Sequence, residues 1–358
     1  MSRHKVKVLI VDDSPAIRQL LAGILGTDPE IEIVGAVTGG AAALEVLSKK
    51  TPDVITIDIN MPGMDGFDLT RRIMETRACP VVIVSASWNS EEVATTFKAV
   101  EAGAVAIIGT PRGPGHPRHE DEAKALVRMV KSMSEVKVVR RWPRARGTGV
   151  LARPTPAEPS ASGVPAKLST PVRIVAIGAS TGGPVVLQTI LANLPQGFPA
   201  PVLIVQHIVA GFLPGMAEWL AGTTGFAIEI ARHGQPALGR CAYLAPDGYH
   251  MGITRDRRIV LAAGSGEPGL RPSVCHLFKS VAESFGPSAA GVLLTGMGRD
   301  GAEALLLMKQ KGALTIAQDQ ESSAVFGMPG EAVRLGAATF ILPPERIAAL
   351  LAGAVDWR

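Results

Sequence analysis

The chain has 358 residues, 47% of them hydrophobic and 19% charged, with a formal net charge of +4. The length predicts two domains, the composition suits α/β domains with aliphatic cores, and no apolar run approaches the ~18 residues of a membrane-spanning helix, which argues against membrane insertion. Cys79, Cys241 and Cys275 are odd in number and form no C-x-x-C, and Met1-Ser2-Arg3-His4 leads toward a strand with no signal-peptide core, so a reduced, cytoplasmic compartment is expected.

In chain order, strands are predicted at 5–11, 31–36, 53–57, 80–85 and 105–108, with helices at 15–25, 40–49, 67–75, 90–102 and 120–133. This (βα)5 alternation predicts a flavodoxin-like parallel sheet covered on both faces, with its site at the carboxyl ends of the strands. Residues 136–170 hold Pro143, Pro154, Pro156, Pro159 and Pro165 and show neither period, so they read as a linker between domains at 1–135 and 171–358. Arg140, Arg141, Arg144, Arg146 and Arg153 lie in it; a solvated linker is the plainer reading, and no nucleic-acid partner is expected. Beyond it, strands are predicted at 172–178, 200–206, 227–230, 241–245, 250–254, 258–261, 290–294, 314–317 and 338–341. Helices are expected to open near Pro184, Leu213, His276, Asp300, Pro329 and Pro344. The mixture predicts a doubly wound α/β domain carrying an antiparallel hairpin around 241–261.

Asp12 and Asp13 follow the first predicted strand and Asp58 the third. In a doubly wound sheet those ends are adjacent, and three crowded carboxylates repel unless a cation sits among them. Hard oxygen ligands suit Mg2+, which would also neutralise charge on a phosphoryl group moving onto Asp58. Ser85 ends the fourth strand, where a hydroxyl could meet a phosphoryl oxygen. Acids at strand ends are also ordinary N-caps; that explains one of them and explains three poorly.

These strings resemble a response-regulator receiver domain: Val11-Asp12-Asp13-Ser14, Asp58-Ile59-Asn60-Met61-Pro62-Gly63-Met64-Asp65-Gly66 and Ser85-Ala86. The resemblance implies that Asp58 accepts phosphate from a CheA-like histidine kinase, with Asp12 and Asp13 helping to hold Mg2+ and Ser85 acting in the switch. One departure stands out. Receivers carry Lys-Pro after the fifth strand, and this chain has Thr110-Pro111. The nearest cation is Arg112, expected to point elsewhere, and residues 113–117 read as an insertion.

In the second half, the apolar run ending at Ala176 leads into Ile177-Gly178-Ala179-Ser180-Thr181-Gly182-Gly183-Pro184. Glycines permit a tight turn, and N–H groups at the following helix start can hold an oxyanion, so this presents a serine nucleophile. A serine needs a base and the base an orienting acid. Among His207, His233, His250 and His276, His207 is the candidate, because it ends the next strand and faces the same sheet edge. Asp300 follows a third strand in Gly296-Met297-Gly298-Arg299-Asp300-Gly301, where the Met297 N–H could donate to an oxyanion. An N-cap is the alternative role for Asp300. The order Ser180, His207, Asp300 departs from that of an α/β-hydrolase.

This half resembles the catalytic domain of the CheB family of chemotaxis methylesterases. The matching strings include Gln206-His207, Tyr243-Leu244-Ala245-Pro246, Arg271-Pro272-Ser273-Val274, Ala317-Gln318-Asp319 and Phe326-Gly327-Met328-Pro329, beside the serine and aspartate motifs. The resemblance implies a Ser180–His207–Asp300 triad with Thr181, Gly182 and Met297 in the substrate and oxyanion region, and no cofactor for the esterase. It implies hydrolysis of glutamate methyl esters on the cytoplasmic domain of methyl-accepting chemoreceptors, with glutamine deamidation beside it. It also implies a monomer whose unphosphorylated receiver covers the active site. Cys275 departs from the acidic residue often found there; a small buried hydrophobe is its plainer role. A receiver-linked hydrolase of another acyl substrate, or a binding protein without catalysis, are the competing readings.

Overall fold

Apolar runs at the strand positions are buried from both sides, as strands of a helix-covered parallel sheet must be. The structure is a computed structural model that describes residues 5–85, 97, 99–136, 138, 170–263 and 270–357. In the first half, β1 (Val6–Val11), β2 (Ile31–Val37), β3 (Val54–Ile57), β4 (Val81–Ser85) and β5 (Ala106–Gly109) run parallel in the order β2-β1-β3-β4-β5. Helices α1 (Pro15–Gly26), α2 (Gly40–Lys49), α3 (Gly66–Thr76) and α4 (His119–Ser134) pack around the sheet. Ser14 caps α1 by accepting the Ile17 N–H, and Pro15 stands in its first turn, where a missing N–H costs nothing. The helix expected at 90–102 lies largely outside the described residues, as do most of the linker at 136–170 and its five arginines.

The second half builds a seven-stranded parallel sheet from β6 (Ile174–Ala179), β7 (Val202–Gln206), β8 (Ala227–Ile230), β9 (Cys241–Leu244), β12 (Ala289–Leu293), β13 (Leu314–Gln318) and β14 (Phe340–Leu342). Its order is β14-β13-β12-β6-β7-β9-β8. One face is covered by α5 (Gly183–Asn193), α6 (Leu213–Thr224) and α10 (Pro344–Ala354). The other is covered by α7 (Val274–Phe285), α8 (Ala302–Gln310) and α9 (Met328–Arg334). The antiparallel hairpin is present as β10 (His250–Ile253) and β11 (Ile259–Ala262), a separate two-stranded sheet. Residues 241–244, expected beside it, instead lie in the main sheet, parallel to both β7 and β8. The reason is pairing: these residues lie between β7 and β8 with both backbone edges matched to a strand, whereas each strand of the two-stranded hairpin is matched on one edge.

The topology places the chemistry. From β1 the chain proceeds to β2 on one side and β3 on the other, and from β6 the later strands likewise divide between β7 and β12. Loops diverge at such a reversal and leave a crevice outside the carboxyl ends. Asp12 and Asp58 flank the first crevice; Ser180 and Asp300 flank the second.

The halves meet over the second crevice. Phe97 is fully buried and stacks on Trp219 of α6 at 5.2 Å between ring centroids. The Trp219 indole N–H donates to Glu101 at 2.6 Å.

Candidate active site

Ser180 follows the last residue of β6, and its own N–H donates to the Thr295 carbonyl. Gly182 then takes a left-handed conformation with φ of 76°, which turns the chain into α5. The Gly183 N–H closes the turn on the Ser180 carbonyl at 2.8 Å. Among the described residues, no backbone acceptor meets the N–H groups of Thr181 and Gly182, which stand at the positive end of α5, the arrangement an oxyanion requires.

His207 follows β7, its N–H completing the ladder on the Ala179 carbonyl. Its Nε2 lies 3.0 Å from Asp300 Oδ2, and both side chains are mostly buried. The approach is bent, so neither ring nitrogen has an aligned hydrogen-bond partner. Catalytic contacts tighten when substrate fills the site. A proton on Nε2 faces the carboxylate and leaves Nδ1 as the buried lone pair.

Asp300 does not cap its own helix; Gly301 occupies that position. Its carboxylate instead meets the start of α7. Ser273 Oγ donates to Oδ1 at 3.0 Å, the Cys275 N–H to Oδ1 at 3.0 Å and the Val274 N–H to Oδ2 at 2.7 Å. Burial alone would push this carboxyl up, but His207 and the α7 N–H donors outweigh it and hold it well below the usual carboxylate range. It therefore stays charged and can orient an imidazolium. The role of Ser273 is not assigned from the sequence; a serine just ahead of an apolar helix is the signal that marks it. Cys275 Sγ accepts the Gly301 N–H, and burial pushes its thiol up to about 11, so it stays protonated at neutral pH.

Ser180, Thr181, Gly182 and His207 line a cavity of about 700 Å³ whose far wall is the first domain, including Ile107, Thr110, Arg112 and Met129. Met297 does not line it; its Sδ lies 4.0 Å from Ser132 Oγ of α4.

At the other crevice, Asp12 is buried and Asp58 half-buried, while Asp13 is exposed. The Asp12 carboxylate accepts the Ser14 N–H and that of Asp58 accepts the Asn60 N–H. Burial, then the charge of Asp12, pushes Asp58 up to about 6; burial and Asp13 raise Asp12 as well. Gly66 is required beside Asp58, because a Cβ there would sit 2.4 Å from the Asp58 carbonyl oxygen. Ser85 is buried at the end of β4, with its carbonyl accepting the Thr110 N–H. Among the described residues, no three His, Cys, Asp or Glu side chains form a closed metal cage. Mg2+ asks for less: one or two carboxylates with the remaining positions given to water and phosphate. Two mutually repelling carboxylates with few donors fit that requirement, and Asp12 and Asp58 would be the residues to hold it. Arg112 is turned away, its Nη1 3.0 Å from His116 Nε2.

The chain is similar to known proteins along nearly its whole length. A family model described as CheB methylesterase matches residues 175–351, and one described as response regulator receiver domain matches 8–114. A protein-glutamate methylesterase/protein-glutamine glutaminase of Geobacter metallireducens is 52% identical over 97% of this chain and 98% of its own length. A protein of the same name from Syntrophus aciditrophicus is 49% identical over 97% of both. The crystal structure of the Thermotoga maritima CheB methylesterase catalytic domain, 35% identical, superposes with a TM-score of 0.50, covering 51% of this chain and 99% of its own.

Proposed function

The chain belongs to the CheB methylesterase family, with a receiver domain ahead of the esterase, and from that premise we propose how its residues divide the work. The enzyme is a protein-glutamate methylesterase and protein-glutamine glutaminase of chemotaxis. Residues 1–135 form the receiver, 136–170 the linker and 171–358 the hydrolase.

Ser180 Oγ attacks the ester carbonyl of a receptor glutamate while His207 takes its proton. The tetrahedral oxyanion is met by the N–H groups of Thr181 and Gly182, with Met297 at the edge of the site. Collapse expels methanol, protonated by His207, and leaves an acyl-enzyme. Water, deprotonated by His207, then releases the glutamate and restores Ser180. For a glutamine the same steps expel ammonia. Asp300 holds the imidazole and balances its charge. No step calls on a cofactor.

Asp58 is the phosphoacceptor, served by a CheA-like histidine kinase, with Asp12 and Asp13 beside it and Ser85 in the switch. Mg2+, when bound there, supplies charge neutralisation to the phosphoryl group. The receiver wall of the catalytic cavity supports the reading that the resting receiver blocks receptor access. The substrate is the cytoplasmic domain of a methyl-accepting chemoreceptor, and the enzyme acts in the cytoplasm as a monomer.

The observation that carries the triad is the Asp300 carboxylate, held ionised by α7 and set 3.0 Å from His207. The test is methanol release from membranes bearing methylated receptor. Ser180→Ala is expected to lose ~10⁴–10⁶-fold in turnover. Release persisting in purified Ser180→Ala would sink the assignment.

A further inference from the structure

Two buried glutamines end the strands that flank the catalytic pair. Gln206 is the last residue of β7 and Gln318 the last of β13. Both are almost sealed from solvent. Each stands where the backbone ladder stops: the last β6–β7 partners are Ala179 and Gln206, and the last β12–β13 partners are Leu293 and Ala317.

Beyond those points, side chains take over from the backbone. The Gln206 amide nitrogen donates to the Ser180 carbonyl at 2.8 Å and to the His207 carbonyl at 2.8 Å. One side chain therefore grips the backbone of both the nucleophile and the base. On the opposite side, the Thr295 N–H donates to Gln318 Oε1 at 2.8 Å. Thr295 in turn receives the Ser180 N–H on its carbonyl, and its hydroxyl donates to the Thr181 carbonyl at 2.9 Å. The amide nitrogen of Gln318 is itself held by the Ser322 carbonyl.

The nucleophile turn is thus fastened from both neighbours, to Gln206 directly and to Gln318 through Thr295. The packing also dictates an adjacent residue: a Cβ on Gly183 would lie 2.1 Å from Gln206 Oε1. That oxygen has no hydrogen-bond partner and lies at the amino end of α5, whose dipole favours it.

We propose that Gln206 is a positioning residue for the hydrolysis, fixing the Ser180 turn against His207, with Gln318 bracing the same turn through Thr295. The proposal rests on the triad reading. An attack geometry displaced by about 1 Å costs on the order of 10²-fold in rate, so a residue that touches no substrate can act on turnover.

The test uses the full-length protein and a serine-directed fluorophosphonate, whose second-order labelling rate reads the serine–base geometry without any receptor. Gln206→Met keeps the length of the side chain and removes both donated bonds. Its labelling is expected to slow about 10–100-fold, with kcat for methanol release falling alongside it and KM unchanged. Gln318→Met, one residue further removed, is expected to slow it less. Gln206→Glu, close in shape, is expected to lag wild type most at pH 8, and the ratio of its labelling rate to that of wild type at the same pH is expected to rise toward one as the pH falls, because a protonated carboxyl again donates one bond. Wild-type labelling rates in folded Gln206→Met would overturn the proposal. If the methionine variant does not fold, Gln206→Glu decides, and a pH profile identical to wild type overturns it. Equal labelling of Ser180→Ala would strike the triad itself and not the clamp.

Discussion

Two crevices of one kind, in two halves of one chain, treat their carboxylates in opposite ways. Asp58 directly follows β3, and Asp300 ends the loop between β12 and α8; both loops leave the carboxyl edge of a parallel sheet where the strand order reverses. Asp300 is met by two backbone N–H groups, a serine hydroxyl and His207. Asp58 sits beside Asp12 with few donors. One carboxyl is therefore held well below its ordinary range and the other is pushed up to about 6. The fold supplies the location, and the count of donors supplies the chemistry. A saturated carboxylate is a fixed charge that orients a base. An under-donated one, in the reading proposed above, takes up a cation and a phosphoryl group.

The sharpest test removes the charge where donors are many. In Asp300→Asn one carboxylate oxygen becomes an NH2 group, which cannot accept the α7 N–H or the Nε2–H that meets that oxygen. The imidazole loses its tautomer and its counter-charge, and kcat is expected to fall about 10⁴-fold with the protein folded. The same variant reads stability. A carboxyl depressed in the folded state stabilises above its unfolded value and loses that contribution as the pH falls through its folded value. The Tm gap between wild type and Asp300→Asn is therefore expected to be widest near neutrality and to shrink below about pH 4.

Asp58 predicts the reverse sign. A carboxyl raised in the folded state contributes stability below its unfolded value and loses it as the pH rises through about 6. In Mg2+-free buffer, Asp58→Asn is expected to raise Tm at pH 7.5 and to leave it unchanged near pH 3.5. The shift from 3.8 to about 6 sets a ceiling of roughly 3 kcal/mol, which solvent at a half-buried group reduces. At about 2–4 °C per kcal/mol the gain is a few degrees. Variants of Asp58 and Asp300 moving Tm in the same direction at pH 7.5 would break the comparison.

Much of this contrast was legible in the chain. Gly178 to Pro184 declares a strand, a turn and a helix start, and the strand-ending acids declare the first crevice. Placing His207 beside Asp300 needs only the rule that parallel strand ends share an edge. What the sequence could not convey is which group satisfies which. Asp300 looked equally like the cap of its own helix, and nothing local says that α7, some 26 residues upstream, would supply its donors. Cys241 to Leu244 is a short apolar run that periodicity alone cannot assign to hairpin or sheet. Gln206 and Gln318 carried a faint signal: each is a polar residue closing an otherwise apolar strand.

The smallest predicted effect concerns the missing cation. Where receivers carry lysine, this chain has Thr110, whose N–H continues the β4–β5 ladder to the Ser85 carbonyl and which is among the residues bordering the cavity at Ser180. Arg112 faces the same cavity and lies against His116, so it does not replace the lysine. A charge-assisted bond to the phosphoryl group is worth ~1.5–3 kcal/mol, and a neutral hydroxyl forfeits most of it. Phosphorylation of Asp58 is therefore expected to shift the closed-to-open balance weakly, leaving appreciable basal activity. Thr110→Lys restores the ammonium, and the ratio of methanol release with and without a small phosphodonor and Mg2+ is expected to rise roughly tenfold. The effect is smaller than the others because it biases an equilibrium between domains, not a bond in the transition state. A large activation ratio already present in the wild type would mean that another group in this crevice performs the lysine's task, and that donors at Asp58 are less scarce than its neighbours indicate.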